Sequence, residues 1–163
     1  MIAPIVDELR PPSTAEVARG VCRLLFRQGY APLCEVPLGN GRRADVIGLD
    51  EAGRITLVEI KVSMTDLRGD GKWREYLGYC DRYFWAVPDC FNLDIFEHDH
   101  FLPTQAGLIV ADRFDASMLR EAAVTPLNTA RRKAETLRFA RRAAQRLLSI
   151  CDPNLGSALS EFS

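Results

Sequence analysis

The order of apolar and polar residues predicts one helix followed by three strands in the first part of the chain. Residues 13–16 have the sequence of a capping box, and apolar residues follow at helical spacing up to Gly29. The strands are predicted at 31–37, 43–48 and 57–61, where β-branched and other apolar residues are frequent. The first of them carries proline near both of its ends, which indicates either a strand at an edge of the sheet or the ends of the strand.

The second part of the chain is predicted to alternate between helix and buried strand. Helical spacing of apolar residues predicts a helix over 72–81, and continuous apolar runs predict strands at 83–87 and 107–111. A strand reached through a helical crossover is expected to run parallel to its neighbour. A short edge strand is predicted at 121–126, and a long helix, which Asn128 or Thr129 caps, is predicted over 128–150.

This last helix is predicted to have an apolar face and a basic face. The apolar face would pack inward through Ala130, Ala134, Leu137, Ala140, Ala144, Leu147 and Leu148. The basic face would point outward with Arg131, Arg132, Arg138, Arg142 and Arg146. Residues 128–150 hold seven basic residues and one glutamate, a balance of +6 in a chain whose net charge is −1. Such a face is either simply solvated or, since guanidinium groups fork onto phosphate oxygens, a phosphate-binding surface.

Composition indicates an ordinary globular domain. The chain has 163 residues, 47% of them hydrophobic and 26% charged, which suits a single domain over 1–163 with an N-terminal arm at 1–12 and a tail at 152–163. No apolar run is long enough for a membrane span, and the first residues do not have the pattern of a secretory signal. Five cysteines without a Cys-x-x-Cys pair are typical of reduced core residues. We therefore expect a cytoplasmic protein.

Charged residues on the second and third predicted strands are the candidate chemistry. The hairpin can bring Asp45 beside Glu59, and Lys61 points the same way as Glu59 because side chains alternate along a strand. One interpretation is a cross-strand ion pair on a solvated face. The other is a divalent-metal site, in which Asp45, Glu59 and the carbonyl of Ile60 hold Mg²⁺ through oxygen ligands. Lys61 would then orient or help to deprotonate a water and would stabilise charge on a phosphate.

The spacing of Asp45 and Glu59-Ile60-Lys61 resembles the signature of the PD-(D/E)XK nuclease superfamily, with Ala44 in place of the usual proline. The run 66–76, followed by 79–82, resembles the MmcB-like family of bacterial DNA repair proteins, which is linked to mitomycin C tolerance. The similarity extends over about residues 13–150. It implies an α/β, restriction-endonuclease-like αβββαβ core, with a mixed central sheet flanked by helices and a C-terminal basic helix.

The resemblance also implies a function, a cofactor and site residues. It implies a metal-dependent DNA nuclease of repair that uses Mg²⁺ or Mn²⁺, with Asp45, Glu59 and Lys61 as catalytic residues. Glu16 matches a first-helix glutamate that supports the metal site in the superfamily, although its role in the capping box competes with that role. DNA is the implied partner, and many related nucleases form homodimers. The resemblance does not distinguish an endonuclease, which cuts within a strand, from an exonuclease, which cuts from its end.

Several basic residues are candidates for binding the DNA backbone, and each has an alternative. They are Arg43, Lys72, Arg131, Arg132, Arg138 and Arg142. Arg43 either pairs with a carboxylate or touches a phosphate, and Lys72 lies either near the active site or on a solvated face. For the whole protein, two alternatives to a nuclease remain. One is a DNA-binding module or scaffold that keeps the fold without cutting, and the other is an RNA-processing or protein-interaction domain in which the carboxylates only join strands.

Overall fold

A mixed sheet forms the centre of the structure, a computed structural model that describes residues 10–155. In this part of the chain the sheet has six strands, which lie side by side in their sequence order. They are β1 (Ala31–Pro37), β2 (Arg43–Leu49), β3 (Ile55–Ile60), β4 (Arg82–Pro88), β5 (Gly107–Ala111) and β6 (Ala116–Arg120). The pairs β3–β4 and β4–β5 are parallel, and the other neighbours are antiparallel. Of the two alternatives for the prolines of β1, the edge position is present, since β1 is the first strand of the sheet.

In the part of the chain that the structure describes, α-helices and 3₁₀ segments connect and cover these strands. The helices are α1 (Thr14–Arg27), α2 (Met64–Gly69) and α3 (Thr129–Cys151), and the 3₁₀ segments are Trp73–Tyr79, Leu93–Glu97 and Asp99–Phe101. The order from α1 through β3 to α2 and β4, with β4 parallel to β3, confirms the expected αβββαβ core. None of the helices in the described part of the chain is both long and apolar enough to cross a membrane.

Helix α1 begins and ends as its sequence predicts, and it covers one face of the sheet. The Ser13 hydroxyl accepts a hydrogen bond from the Glu16 N–H while the Glu16 carboxylate accepts one from the Ser13 N–H, which is a complete capping box. Gly29 follows the helix with a φ of +85°, a left-handed conformation that glycine adopts without strain. The buried face of α1 packs on Val46, Val58 and other apolar residues of the central strands.

The opposite face of the sheet is covered by an aromatic cluster. Trp73 from the first 3₁₀ segment lies 5.1 Å from Trp85 and 5.7 Å from Tyr83, measured between ring centroids. Trp73 and Trp85 have no solvent exposure, and Tyr76 is also buried. The prediction that Trp73 and Tyr76 are core residues is therefore confirmed. These large side chains fix the segment between α2 and β4 against the sheet, close to the candidate site.

Two predicted elements differ in the structure. The predicted helix over 72–81 is a 3₁₀ segment, since Gly71 and Gly78 lower the helix propensity of a stretch only ten residues long. The predicted strand at 121–126 is wrong, because the edge strand is β6 just before it. Residues 121–126 are irregular, and two of their N–H groups donate to the carbonyls of Gln105 and Asp81 instead of to a strand. The predicted arm and tail mostly lie outside the described residues.

The predicted inner stripe of α3 is also wrong. Leu137, Leu147 and Leu148 are 54%, 62% and 42% exposed, whereas Glu135 and Phe139 are the buried residues of the helix. Asn128 caps the helix as predicted. The leucines face outward because α3 packs against the edge strand β1. An edge strand has main-chain N–H and C=O groups that no neighbouring strand pairs, so polar side chains of the helix face it. Arg146 donates to the carbonyls of Cys34 and Glu35, and Glu135 accepts from the Gly39 N–H.

Candidate functional site

Asp45 lies at the point where β2 and β3 separate. The last paired residues of the two strands are Val46 and Val58, so that Asp45 and Glu59 are the next residues on each side. The Asp45 carboxylate accepts a hydrogen bond of 2.7 Å from the Ile60 N–H. A side chain has thus taken the place of a main-chain partner, which holds the carboxylate against the end of β3.

Lys61 lies between two carboxylates just beyond the end of β3. Its Nζ is 3.0 Å from Glu59 Oε1 and 2.7 Å from Asp70 Oδ2, and its N–H donates to the Ala86 carbonyl. The side chains of Lys61, Glu59 and Asp70 are only 12%, 8% and 15% exposed. Asp70 follows α2 and also accepts a hydrogen bond from the Lys72 N–H. The short helix therefore folds back and delivers a third carboxylate to the site.

Negative charge exceeds positive charge among these buried groups. Three carboxylates, of Asp45, Glu59 and Asp70, surround one ammonium group. Burial, followed by the charge of Asp45, raises the pKa of Glu59 to about 7, and burial also raises the pKa of Asp45. Glu59 Oε2 is buried and has no hydrogen-bond partner. Such an oxygen costs free energy unless a proton or a cation joins it.

Lys61 itself stays protonated in this environment. Burial acts to lower its pKa, but the hydrogen bond to Asp70 and the charge of Glu59 outweigh burial, and the pKa is raised overall. Burial likewise acts to raise the pKa of Asp70, but the hydrogen bond from Lys61 lowers it overall. Both carboxylates contact Lys61, but the pKa is lowered for Asp70 and raised for Glu59, whose Oε2 has no partner.

The atoms present fit a hard divalent cation. Asp45, Glu59 and the carbonyl of Ile60 offer oxygen atoms, which Mg²⁺ and Mn²⁺ accept as ligands, and the orphaned Glu59 Oε2 is one of them. Within residues 10–155, no group of three or more His, Cys, Asp or Glu side chains is placed to hold a metal. Mg²⁺ commonly binds through one or two carboxylates and keeps its other positions for water and phosphate. The pair of carboxylates suits that mode.

A cavity of about 430 Å³ gives access to Asp45. It lies between α1 and the edge of the sheet and is lined by Thr14, Ala15, Ala18, Cys34, Glu35, Asp45 and Ile60. Glu35 has a φ of +51°, a left-handed conformation that is strained for a residue with a Cβ. This strain lies in β1 beside Asp45, where the carbonyls of Cys34 and Glu35 accept hydrogen bonds from Arg146 of α3.

A larger groove of about 750 Å³ runs between α3 and β1. Its lining contains four arginines, one glutamate and four apolar or neutral residues: Glu35, Pro37, Arg43, Ala134, Leu137, Arg138, Arg141, Arg142 and Gln145. Glu35 borders both this groove and the Asp45 cavity, so the two are adjacent. Arg43 is 65% exposed and lies 3.5 Å from Glu35. A basic groove thus leads toward the acidic site.

Glu16 is held away from the site by its own local contacts. Its carboxylate closes the capping box and accepts two hydrogen bonds of 2.8 Å from Arg10. The hydrogen bonds from Arg10, followed by the one from the Ser13 N–H, lower the pKa of Glu16 to about 2. Its neighbours Thr14 and Ala15 line the Asp45 cavity, but Glu16 does not. Of its two predicted roles, the structure contains the cap.

Only some of the predicted phosphate-binding residues lie in this groove. Arg43, Arg138 and Arg142 line the groove, whereas Arg132 donates to both oxygens of buried Asp81 and is held there. Arg131 stacks over the Tyr79 ring at 4.1 Å, and Lys72 is exposed. Arg138 also lies 3.6 Å from Glu135. Sequence reasoning cannot separate these arginines, since Arg132 becomes structural only through Asp81, fifty-one residues away in the chain.

Sequence reasoning assigned Asp70 only a turn role and did not single out Glu35 or Arg141. Asp70 does support its turn, but it also orients Lys61. The only signal was its position inside the run 66–76. Glu35 has no signal in the sequence, because its left-handed conformation depends on the contact of β1 with α3.

The comparisons with known proteins agree with this arrangement at the level of family and fold. A family model described as DNA repair protein MmcB-like matches residues 2–154. The SPO1766 protein of unknown function from Silicibacter pomeroyi is 40% identical, with a TM-score of 0.79 over 90% of this chain and 95% of that one. A repair endonuclease from Pyrococcus abyssi is 23% identical, with a TM-score of only 0.34 over 54% of this chain and 44% of that one. No protein in the curated set matches the chain.

Proposed function

The chain belongs to the family of MmcB-like DNA repair proteins, and on that premise we propose that it is a metal-dependent nuclease that hydrolyses DNA phosphodiester bonds. One observation carries the proposal. Glu59 is buried with one oxygen unpartnered and a pKa raised to about 7, and Asp45, whose charge contributes to that rise, lines a cavity open to solvent. The large majority of buried side-chain oxygens in proteins have a hydrogen-bond partner, so that this one calls for an explanation.

The residues of the site have distinct roles in this proposal. Asp45, Glu59 and the Ile60 carbonyl hold Mg²⁺ or Mn²⁺, which supplies Lewis acidity at the phosphate and an activated water. Lys61 is an ammonium group whose pKa is raised, so it donates hydrogen bonds to a phosphate oxygen and stabilises charge that develops there. Its ion pair with Asp70 fixes the direction of the amine. In this proposal Lys61 therefore acts as a positively charged hydrogen-bond donor and not as the base that deprotonates the water.

The basic groove supplies contacts to the DNA backbone. Arg43, Arg138 and Arg142 line it together with Arg141, whereas Arg131 and Lys72 are not part of its lining. Arg132 is left out of this set because Asp81 holds its guanidinium group. Contacts to phosphates position a strand without reading bases. We therefore expect affinity for DNA to fall steeply with salt and to depend little on sequence.

The test is a cleavage assay with matched variants. Single-stranded, duplex and branched DNA are incubated with the purified full chain and Mg²⁺ or Mn²⁺, with EDTA as the blank. Asp45→Asn and Lys61→Met are each expected to lower the rate by roughly 10²–10³-fold, since each removes charge from the reacting centre. Glu51→Gln, at the exposed tip of the β2–β3 hairpin, is the control and is expected to cut like the wild type.

Other outcomes of this assay separate the alternatives. Equal residual cutting by the wild type, Asp45→Asn and Lys61→Met would indicate a contaminant and remove the enzyme proposal. DNA binding by all variants without cutting would identify a DNA-binding module that retains the nuclease fold. If the protein neither binds nor cuts DNA but processes RNA, the carboxylates serve another class of substrate and the proposal is wrong.

A further inference from the structure

Two cysteines from different elements meet at the wall of the Asp45 cavity. Cys22 of α1 and Cys34 of β1 have their sulfur atoms 3.5 Å apart. Both side chains are half-buried, and Cys34 lines the cavity of about 430 Å³ together with Asp45. The other cysteines are separate cases, since Cys80 is buried and Cys90 and Cys151 are exposed. The proposed nuclease function gives this thiol pair no role.

We propose that Cys22 and Cys34 form a reversible disulfide when the protein meets hydrogen peroxide or a related hydroperoxide. The two sulfurs need to approach by only about 1.5 Å to reach the S–S bond length of about 2.05 Å, a movement that side-chain rotation can supply. Because one sulfur belongs to α1 and the other to β1, the bond joins the helix to the edge strand across the cavity wall. The inference does not depend on whether the protein cuts DNA.

Cys34 is the thiol that reacts first. The hydrogen bond from Cys22 lowers the pKa of Cys34 to about 7, and the charge of Arg146 acts in the same direction against burial. The same hydrogen bond raises the pKa of Cys22. Cys34 therefore holds the nucleophilic thiolate, and its position on the cavity makes it reachable for a molecule as small as hydrogen peroxide.

The reaction balances in two steps. The Cys34 thiolate attacks one peroxide oxygen, the O–O bond breaks, and hydroxide leaves, so that Cys34 becomes a sulfenic acid. The Cys22 sulfur then attacks the Cys34 sulfur and forms the S–S bond. The Cys34 S–O bond breaks, and its hydroxyl leaves as water with the proton that Cys22 gives up. Two thiols lose two electrons in total, and one hydrogen peroxide is reduced to two waters once the first hydroxide is protonated.

The test uses full-length protein in which Cys90 and Cys151 are changed to serine, so that exposed thiols do not react. After treatment with stoichiometric peroxide, this parent is expected to lose two hydrogen atoms by intact mass. Trypsin is expected to release peptides 20–23 and 28–42 joined to each other, and a thiol reductant is expected to separate them. The oxidised parent is expected to melt roughly 5–10 °C higher than the reduced form, because the bond restricts the unfolded chain.

Two further variants test the order of events. In Cys22→Ser the reaction is expected to stop at the Cys34 sulfenic acid, which dimedone traps, since the resolving thiol is absent. In Cys34→Ser the loss of hydrogen and the dimedone adduct are both expected to disappear. The proposal is overturned if peroxide leaves peptides 20–23 and 28–42 unlinked in the parent, or if the linkage involves Cys80 instead.

Discussion

Two buried carboxylates of this protein, Asp81 and Glu59, have pKa values that are shifted in opposite directions. Asp81 is 2% exposed and accepts hydrogen bonds from the Ile55 N–H, the Leu127 N–H and both terminal nitrogens of Arg132. Glu59 is 6% exposed and has Lys61 on one oxygen and nothing on the other. Burial acts to raise both pKa values. The partners of Asp81 lower its pKa overall, whereas that of Glu59 rises to about 7.

The number of hydrogen-bond partners distinguishes Asp81, which forms a structural ion pair, from Glu59, which belongs to the candidate metal site. Asp81 joins the start of β3 to the loop before α3 and to α3 itself, so every acceptor position it offers is used in holding elements together. Glu59 forms an ion pair with Lys61, which Asp70 also holds, and its second oxygen, Oε2, has no hydrogen-bond partner. A buried carboxylate that is fully hydrogen-bonded stabilises the fold, while one that is half satisfied is a position for a proton or a cation.

The largest expected effect comes from removing the satisfied carboxylate. Asp81→Ala leaves the Arg132 guanidinium and two N–H groups without an acceptor, and we expect it to lower the free energy of unfolding by about 3–5 kcal/mol. Urea denaturation at pH 7 measures the change. Glu75→Ala, which breaks an exposed pair with Arg42, is the control and is expected to lower the free energy of unfolding far less. Equal losses in the two variants would contradict the comparison.

The next effect is the pH dependence of Glu59. A folded pKa of about 7, above the ordinary glutamate value of 4.5, means that protonation of Glu59 favours the folded state. That contribution is fully present below pH 4.5 and is lost as the pH rises through 7, by about 3 kcal/mol. In EDTA, Glu59→Gln is therefore expected to remove a decline in stability between pH 4.5 and 7 that the wild type shows. Urea denaturation across this range measures the decline.

The same series needs an exposed glutamate as its reference. Glu75→Gln is the matched control, because the Glu75 side chain is 50% exposed and its pKa is lowered by the hydrogen bond from Arg42. It is expected to leave the decline unchanged. Parallel stability curves for the wild type and Glu59→Gln would show that Glu59 carries no buried charge to relieve.

A divalent cation that binds Glu59 is expected to offset the negative charge of its buried carboxylate and so to stabilise the folded protein. Binding to the folded state alone stabilises by about 2.7 kcal/mol at one hundred times the dissociation constant, which corresponds to roughly 5–10 °C in melting temperature. The wild type is expected to show this shift with Mn²⁺ or Mg²⁺ in differential scanning fluorimetry, and Glu59→Gln is expected to lose it. Asp81→Ala melts lower but keeps the shift. A response in Glu59→Gln equal to that of the wild type would place the cation elsewhere.

The smallest effects concern the groove arginines. Arg138→Gln and Arg141→Gln are each expected to reduce the slope of log affinity against log salt by about 0.7–0.9, as each removes one phosphate contact. Fluorescence anisotropy with labelled DNA at several salt concentrations measures the slope. Arg54→Gln, which loses an ion pair with Asp50 at the β2–β3 turn, is the control. An unchanged slope in both groove variants would show that DNA does not bind in the groove.

Much of the fold was predictable because its signals are local. The capping box at Ser13 and the strands at 31–37 and 43–48 each depend on residues that are neighbours in the chain, and each prediction is confirmed. The orientation of α3 was not predictable in this way. Its Ala and Leu residues have the spacing of a buried stripe, but the helix meets an edge strand whose carbonyls require donors, and arginines supply them.

The candidate site divides along the same line. The order of the core elements and the proximity of Asp45, Glu59 and Lys61 follow from the sequence, since strand alternation and a short hairpin fix which side chains meet. Only the tertiary structure decided that Asp70 completes the partners of Lys61, that Asp81 takes Arg132, and that one oxygen of Glu59 remains unpartnered. Burial and partner choice are properties of elements packed together from distant parts of the chain, and no local pattern records them.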